Sequence, residues 1–443
     1  MRKWLDDRLR VQELLDAMFK HPAPKRSNYL DYLGFATLFA FLNEAITGIL
    51  LATVYIPSAN EAYSSVKAIE ASVAENFVRS LHAWGANFMI VLVVLHLLRV
   101  FFVGAYKYPR ELTWVSGVIL LLGTVALGFT GYLLPWDQEG YWATTVGTSM
   151  AGYVPVIGDH LVQLLRDGVN VTSATLTRFY AIHILVLPGV ILLGFLPHIF
   201  FVLRQGMSST DELTHAKKRG EDITQKSRPF YPNEAFRMAL SVLVIAVSLF
   251  VLAAYFPKEL GDPSDPLNMD NYTPKPAWYF MGVYQLLKYV PGSLDVLAMV
   301  GLPLIGILVL LFLPWIDRNP SRLPKRRPIA LGVAAVVMLG LGVLTYQGMN
   351  SGPKALATTV VVEHPSFDKD ILPIFQNYCN QCHPKYGSYS GISKEVTPEN
   401  PDKSLLYESM TGKAKFPMPP GKPLSKENIE TFENWIQDGA KNN

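Results

Sequence analysis

Four histidines sit inside two apolar stretches, and their spacing suits one kind of chemistry. In RSLHAWGANFMIVLVVLHLLRV, residues 79–100, His82 and His96 are 14 apart; in RFYAIHILVLPGVILLGFLPHIF, residues 178–200, His183 and His198 are 15 apart. Fourteen residues make just under four helical turns, so both imidazoles of the first stretch leave one face, about 21 Å apart along the axis. Two such helices side by side offer two imidazole pairs at two depths. An imidazole pair facing across a helix gap is a bis-histidine haem cage. A lone buried histidine is commonly a hydrogen-bonded packing residue. Two pairs at similar separations favour ligation instead, and ionisable groups at membrane depth are costly enough to mark function.

A second group of chemistry-bearing residues lies in the tail. The run ILPIFQNYCNQCHPKYG holds Cys379, Cys382 and His383 in the order C-x-x-C-H, the attachment signature of a c-type haem. Two thioether bonds hold the porphyrin edge while the adjacent imidazole reaches the iron. A redox dithiol or half a zinc site is the competing use, but zinc wants a second ligand pair and the chain has no other cysteine. A total of two cysteines also excludes a disulfide network and a cysteine-ligated iron–sulfur cluster. KFPMPPGKPLSKENIETFENWI supplies Met418 as sixth ligand, in a proline-fixed loop before a helix predicted over 425–439, with Met410 as the competitor. Methionine is the partner that raises a haem potential.

Such ligands need elements that hold them in a bilayer. Of 443 residues, 50% are hydrophobic and 17% charged, and the mean hydropathy is +0.21, which describes a polytopic membrane protein with a soluble part. The small net charge of +3 points to no nucleic-acid partner. Seven apolar spans are predicted, at 33–56, 80–103, 114–134, 178–203, 235–256, 296–316 and 329–347, and the polar or Pro/Gly-rich segments 135–177, 204–234 and 257–295 are the longest connectors. The segments 1–30, 99–113, 203–237 and 317–328 carry 22 Lys and Arg, against 7 in the alternate loops 57–79, 135–178 and 257–296. The positive-inside rule then puts the N-terminus in the cytoplasm and, after seven crossings, everything past residue 347 outside. Residues 1–30 are amphipathic and charged without an apolar core, so a cleaved signal peptide is not expected.

Gly34 and Gly48 in the first span, and Gly117 and Gly131 in the third, are also 14 apart. Glycine lets a flat macrocycle approach a helix backbone; ordinary small-residue helix packing is the alternative. Arg79 and Arg99 bracket the histidines of the second span, placed to pair with haem propionates or to snorkel to headgroups. Asn43 and Glu44 lie within the first span, where Glu44 reads as a packing residue rather than part of a proton route.

These residues and their surroundings resemble the cytochrome b family of cytochrome bc and bf complexes. The resemblance is carried by residues 79–100, YPRELTW at 108–114, GYLLPWDQEGYW at 131–142, YVPVIGDHLVQLLRDG at 153–168 and LTRFYAIHILVLPG at 176–189. The 15-residue interval and the PWDQ turn are similar to the plastid-type branch, in which a four-helix haem part and a three-helix partner are separate chains. Here the last three spans, with DPLNMDNYTPKPAWYF at 265–280, look like that partner fused on. The tail at about 365–440 is similar to monohaem class I cytochromes c.

The resemblance implies an all-α membrane protein: a four-helix haem-binding bundle, three further transmembrane helices and a small α-helical cytochrome c domain. The expected boundaries are a cytoplasmic N-terminal segment 1–30, a di-haem domain 31–215, a three-helix quinol-site domain 216–350, a linker 351–364 and the c domain 365–443. It implies two non-covalent b haems, the low-potential one on His82 and His183 near the outer face and the high-potential one on His96 and His198 near the cytoplasm. An outer quinol site would lie between Trp136, Asp137, Gln138 and Glu139 and the segment Pro276, Trp278 and Tyr279. One electron would pass to a Rieske iron–sulfur protein and on to cytochrome c or another periplasmic acceptor, and the other across the membrane to quinone. A homodimeric complex in a bacterial cytoplasmic membrane, in contact with lipid, is implied as well.

Two departures stand out. The family's outer-site motif commonly reads PEWY, and here Ala277 replaces the carboxylate; Glu139 is the substitute to weigh against a merely solvated side chain. The plastid-type branch attaches an extra haem through a cysteine aligned with Tyr32, which this chain lacks. A membrane anchor relaying electrons between quinone and another dehydrogenase, or a module without quinone turnover, are the competing functions.

Overall fold

An uninterrupted apolar run in a bilayer must satisfy its own backbone hydrogen bonds, and a helix does so within one segment. The computed structural model describes residues 22–24, 29–168, 170–205, 220, 227–265, 275–290, 294, 296–350, 361–379, 383–413 and 424–443. In chain order its main helices are α1 (Leu33–Ala52), α2 (Ala62–Ala71), α3 (Val73–Phe102), α4 (Glu111–Tyr132), α5 (Gln138–Ala151), α6 (Gly158–Arg166), α7 (Ser173–Gln205), α8 (Asn233–Tyr255), α9 (Trp278–Leu287), α10 (Leu297–Ile316) and α11 (Pro328–Asn350). Seven of these, α1, α3, α4, α7, α8, α10 and α11, are long and apolar enough to cross a membrane, in agreement with the seven predicted spans. Among the described residues the secondary structure is helical apart from a three-residue antiparallel ribbon, Pro22–Pro24 against Ser227–Pro229, and an isolated bridge between Asp137 and Pro263.

The chain divides into two compact units: residues 1–135, 176–260 and 305–338, and residues 136–175, 261–304 and 339–443. In the first, α1 packs along α3, α4 along α7, and α8 against both α1 and α3. Ser72 caps α3 by accepting from the Glu75 amide at 3.5 Å, the S-x-x-E signature of a helix start. α8 is tied down at both ends. Near its start the buried Tyr32 hydroxyl donates to the Glu234 carboxylate; past its end Trp84 donates to the Phe256 carbonyl at 2.8 Å and the Lys258 amide to Ser80 at 3.1 Å. The α3–α4 connector is pinned through Asp317, which accepts from Tyr106 and lies 2.9 Å from Lys107 Nζ and 3.3 Å from Arg327. The Arg327 side chain is fully buried beside the stacked rings of Phe101 and Tyr106.

α7 contains a π-turn at Ile182–Val186, with His183 inside it. Pro188, two residues beyond, has no N–H to give to the carbonyl four back, which leaves the α-helical ladder open there. A π-bulge inserts one residue without advancing the helix face. That explains the spacing: 15 residues in α7 span the same register as 14 in α3.

In the second unit, α5 and α6 form where the sequence suggested only a connector. The Thr- and Gly-containing α5 has modest intrinsic propensity. It is braced by Arg166 of α6, which donates to Thr148 and Ser149 hydroxyls at 2.6 Å each and to the Thr145 carbonyl. The tail of this unit carries α12 (Leu372–Tyr378), α13 (Leu405–Met410) and α14 (Lys426–Gln437), the last close to the helix predicted at 425–439. Phe367, Ile371, Phe375, Met410, Phe432, Trp435 and Ile436 form its buried core.

Candidate redox centres

The four intramembrane histidines come together as two pairs. The rings of His82 and His183 lie 6.3 Å apart between centroids, a gap that takes one metal ion at imidazole bond lengths of about 2.0–2.1 Å. His96 and His198 are near enough to interact electrostatically. Each imidazole is backed by a glycine of the helix alongside. A β-carbon built on Gly48 would stand 3.2 Å from His82 Cε1, on Gly34 2.9 Å from His96, on Gly117 3.2 Å from His198 and on Gly131 2.7 Å from His183. The glycines thus make room for the imidazoles.

Three of the four rings are also oriented by a hydroxyl. His82 Nδ1 meets Thr47 Oγ1 at 3.0 Å, His183 Nδ1 meets Thr130 Oγ1 at 3.1 Å, and His198 Nδ1 meets Ser116 Oγ at 3.0 Å. Each hydroxyl gives its single proton to a carbonyl of its own helix, Asn43 at 2.6 Å, Ala126 at 3.0 Å and Thr113 at 3.0 Å. Toward the imidazole it can therefore only accept, which places the ring proton on Nδ1 and leaves the Nε2 lone pair for a metal. His96 Nδ1 is buried with no hydrogen-bond partner among the described residues. This donor set fits two bis-histidine haems.

The residues flanking the ladder are engaged by the protein. Arg79 forms an ion pair with Glu70 at 3.1 Å and donates to the Lys258 carbonyl; Arg99 pairs with Asp31. Glu44 does more than fill space: its Oε2 lies 3.2 Å from His82 Nδ1, its Oε1 accepts from Asn43 at 3.0 Å, and the missing side chain of Gly85 leaves room for it. The sequence holds a signal for the hydroxyl clamps, Ser or Thr directly before a glycine at 47, 116 and 130. Glu234 has no comparable signal and is fully buried.

The second unit holds the residues expected around a quinol. Trp136 has a left-handed backbone, φ 55°, a costly conformation for a bulky residue. It is held there by the segment 261–264: the Ser264 amide donates to the Trp136 carbonyl at 3.1 Å and the Gln138 amide to the Asp262 carbonyl at 2.9 Å. The Asp137 carboxylate is buried and caps α5, accepting from the Gly140 amide at 2.8 Å, so its visible task is to start that helix. Glu139, in the first turn of α5, is exposed. Ala277 is the N-cap residue of α9, with half-buried Pro276 before it, and Trp278 and Tyr279 open the helix with rings 5.5 Å apart. Burial and then the charge of Glu139 push the Tyr279 phenol up to about 12.

In the tail, Cys379 is buried and its carbonyl accepts from the His383 amide at 2.9 Å. Burial, reinforced by Lys385, holds the His383 imidazole below its usual range despite Glu395, so it is neutral and able to ligate. These residues fit a c-type haem. Cys382 and Met418 lie outside the described residues, and Met410 is buried in the core.

Comparison with known proteins gives consistent results. Residues 18–206 match the family model described as cytochrome b/b6/petB, and residues 263–363 match the one described as cytochrome b (C-terminal)/b6/petD. The cytochrome bc complex cytochrome b subunit of Chlorobaculum thiosulfatiphilum is 35% identical over 347 residues, covering 78% of this chain and 79% of that one. Cytochrome b6 of Crocosphaera subtropica is 43% identical over 209 residues, 46% of this chain and 93% of its own. A solved structure described as a hyperthermophilic respiratory Complex III superposes with TM-score 0.72 at 27% identity, covering 80% of this chain and 92% of that one.

Proposed function

Because the chain belongs to the cytochrome b family of bc-type redox complexes, we propose that it is the cytochrome b subunit of a quinol:cytochrome c oxidoreductase with its own c-type domain attached. The observation that carries this reading is the set of four imidazoles at two levels of one helical bundle, three of them with Nδ1 engaged and Nε2 left for iron. Bound there, two b haems supply one-electron relays across the membrane, and a covalent haem at Cys379, Cys382 and His383, with Met418 as sixth ligand, supplies a port outside it.

The chain's own residues bind, orient and move protons. Quinol bound by the segments around Trp136 and around Pro276, Trp278 and Tyr279 loses two protons and two electrons. A Rieske iron–sulfur protein would take one electron toward the c-type domain, and His82, His183, His96 and His198 would hold the b haems that carry the other to quinone on the cytoplasmic side. Ala277 has no atom that accepts a proton, so Glu139 takes that role, while the Tyr279 phenol, protonated at neutral pH, donates a hydrogen bond to the quinol oxygen. The tethered c-type domain receives electrons at high effective concentration. The setting is a bacterial cytoplasmic membrane, with the c-type domain outside and the complex dimeric.

A haem count with a turnover assay tests this. The purified chain should hold two non-covalent b haems for each covalent c haem, and with its Rieske partner should reduce the c haem from quinol. One b haem per c haem would overturn the ladder. Two b haems without Rieske-dependent turnover would favour an electron-relaying membrane anchor instead.

A further inference from the structure

The four ligating positions repeat one local motif with a single exception. In α1 and α4, three of the four glycines behind an imidazole follow a residue whose side chain faces the same ring: Thr47 before Gly48, Ser116 before Gly117, Thr130 before Gly131. Before Gly34 stands Leu33, which offers no acceptor, and His96 Nδ1 is the ring nitrogen with no partner among the described residues. Ring placement does not account for the difference. The β-carbon position of Gly34 lies 2.9, 3.4 and 3.4 Å from Cε1, Nδ1 and Nε2 of His96, and that of Gly131 lies 2.7, 3.3 and 3.3 Å from the same atoms of His183. A hydroxyl at position 33 would therefore stand to His96 as Thr130 stands to His183. At the other extreme, His82 Nδ1 has two acceptors, Thr47 Oγ1 at 3.0 Å and Glu44 Oε2 at 3.2 Å.

An imidazole that donates its Nδ1 proton to an acceptor becomes a more basic ligand, and a more basic ligand stabilises ferric over ferrous iron. A buried N–H without an acceptor leaves the ring electron-poor and favours the ferrous state. We infer that Leu33 is a potential-setting residue, holding the haem of His96 and His198 at a higher potential than that of His82 and His183 by withholding an acceptor from His96. The two pairs differ accordingly: both ligands of the first are hydrogen-bonded at Nδ1, and only one of the second. Electron flow from the first level to the second is then downhill because of one side chain that is absent from a repeated pattern.

The inference rests on the assignment of these four histidines as b-haem ligands, and the test separates the two. Potentiometric titration of the purified full chain, followed at the b-haem absorption bands, reads both potentials together with the haem count. Leu33→Thr should lower the His96/His198 haem by about tenfold in its reduced-to-oxidised ratio, ~59 mV for one electron, and leave the other haem unmoved. Leu33→Val, which has the shape of threonine without its hydroxyl, should move neither. If Leu33→Thr loses haem, Ser116→Ala reads the same effect in reverse, raising that haem by removing the hydroxyl acceptor of His198 and leaving it the Thr113 carbonyl alone. Equal shifts in Leu33→Thr and Leu33→Val, or an unmoved potential in both Leu33→Thr and Ser116→Ala with two b haems bound, would overturn the inference. Fewer than two b haems in the unmodified chain would overturn the ligand assignment instead.

Discussion

Alanine at Gly131 separates a ligand-clearing role from simple helix packing. Its methyl would stand 2.7 Å from His183 Cε1 and 3.3 Å from both ring nitrogens. Carbon atoms pack comfortably at ~3.5–4.0 Å, so the ring must retreat by about 0.8 Å. It cannot do so freely, because Thr130, next to the substituted position, holds Nδ1 at 3.1 Å. Overpacking of this kind costs roughly 1–3 kcal/mol, about five- to 150-fold in haem retention. Gly48 lies behind the other ligand of the same haem, and its β-carbon position is 3.2 Å from His82 Cε1, which a shift of a few tenths of an ångström relieves. Gly131→Ala should thus lose much of the first-level b haem while Gly48→Ala keeps it. Pyridine-haemochrome spectra against protein concentration measure this: the b-haem content falls from two per chain toward one in Gly131→Ala and stays near two in Gly48→Ala. Equal loss in both variants, or none in either, would refute the reasoning.

Glu139→Gln should slow quinol oxidation at least about tenfold, the scale of losing a general base; unchanged steady-state cytochrome c reduction would remove Glu139 from the proton path. Asp317→Asn should destabilise the first unit by about 3 kcal/mol, because Lys107 and the fully buried Arg327 lose their carboxylate, and thermal unfolding in detergent reads the loss. Burial pushes Asp317 up, but hydrogen bonds from Tyr106 and Lys107 and the charges of Lys107 and Arg327 outweigh it and hold the carboxyl below its ordinary range. The stability it contributes is therefore full above about pH 4 and disappears as pH falls through the lowered folded value, a dependence that Asp317→Asn should abolish. Cys379→Ser should leave at most a single thioether bond, so haem staining of the full-length band on a denaturing gel should weaken sharply; undiminished staining would argue against C-x-x-C-H attachment.

The legible features are those set by local periodicity and composition. Seven apolar spans, two histidine pairs and a C-x-x-C-H run can be read directly, because bilayer thickness, helical pitch and covalent attachment each impose a fixed spacing on the chain. The unequal intervals of 14 and 15 looked like an imperfect match; the π-turn around His183 reconciles them, through a backbone irregularity that residue counting treats as ordinary helix. Asp137 stands out as an acidic residue in the PWDQ turn, and its carboxylate caps α5.

What residue order does not carry is which groups meet across helices. That the glycines shelter imidazoles, that Glu44 reaches His82, that Glu139 acts on Tyr279 and that His96 Nδ1 has no partner among the described residues are all consequences of packing between segments distant in the chain. Hydrogen bonding depends on distances of about 3 Å and on direction, and those are settled by how one helix face lies on another. The histidines and their spacing are inscribed in the chain; their surroundings arise when the helices pack.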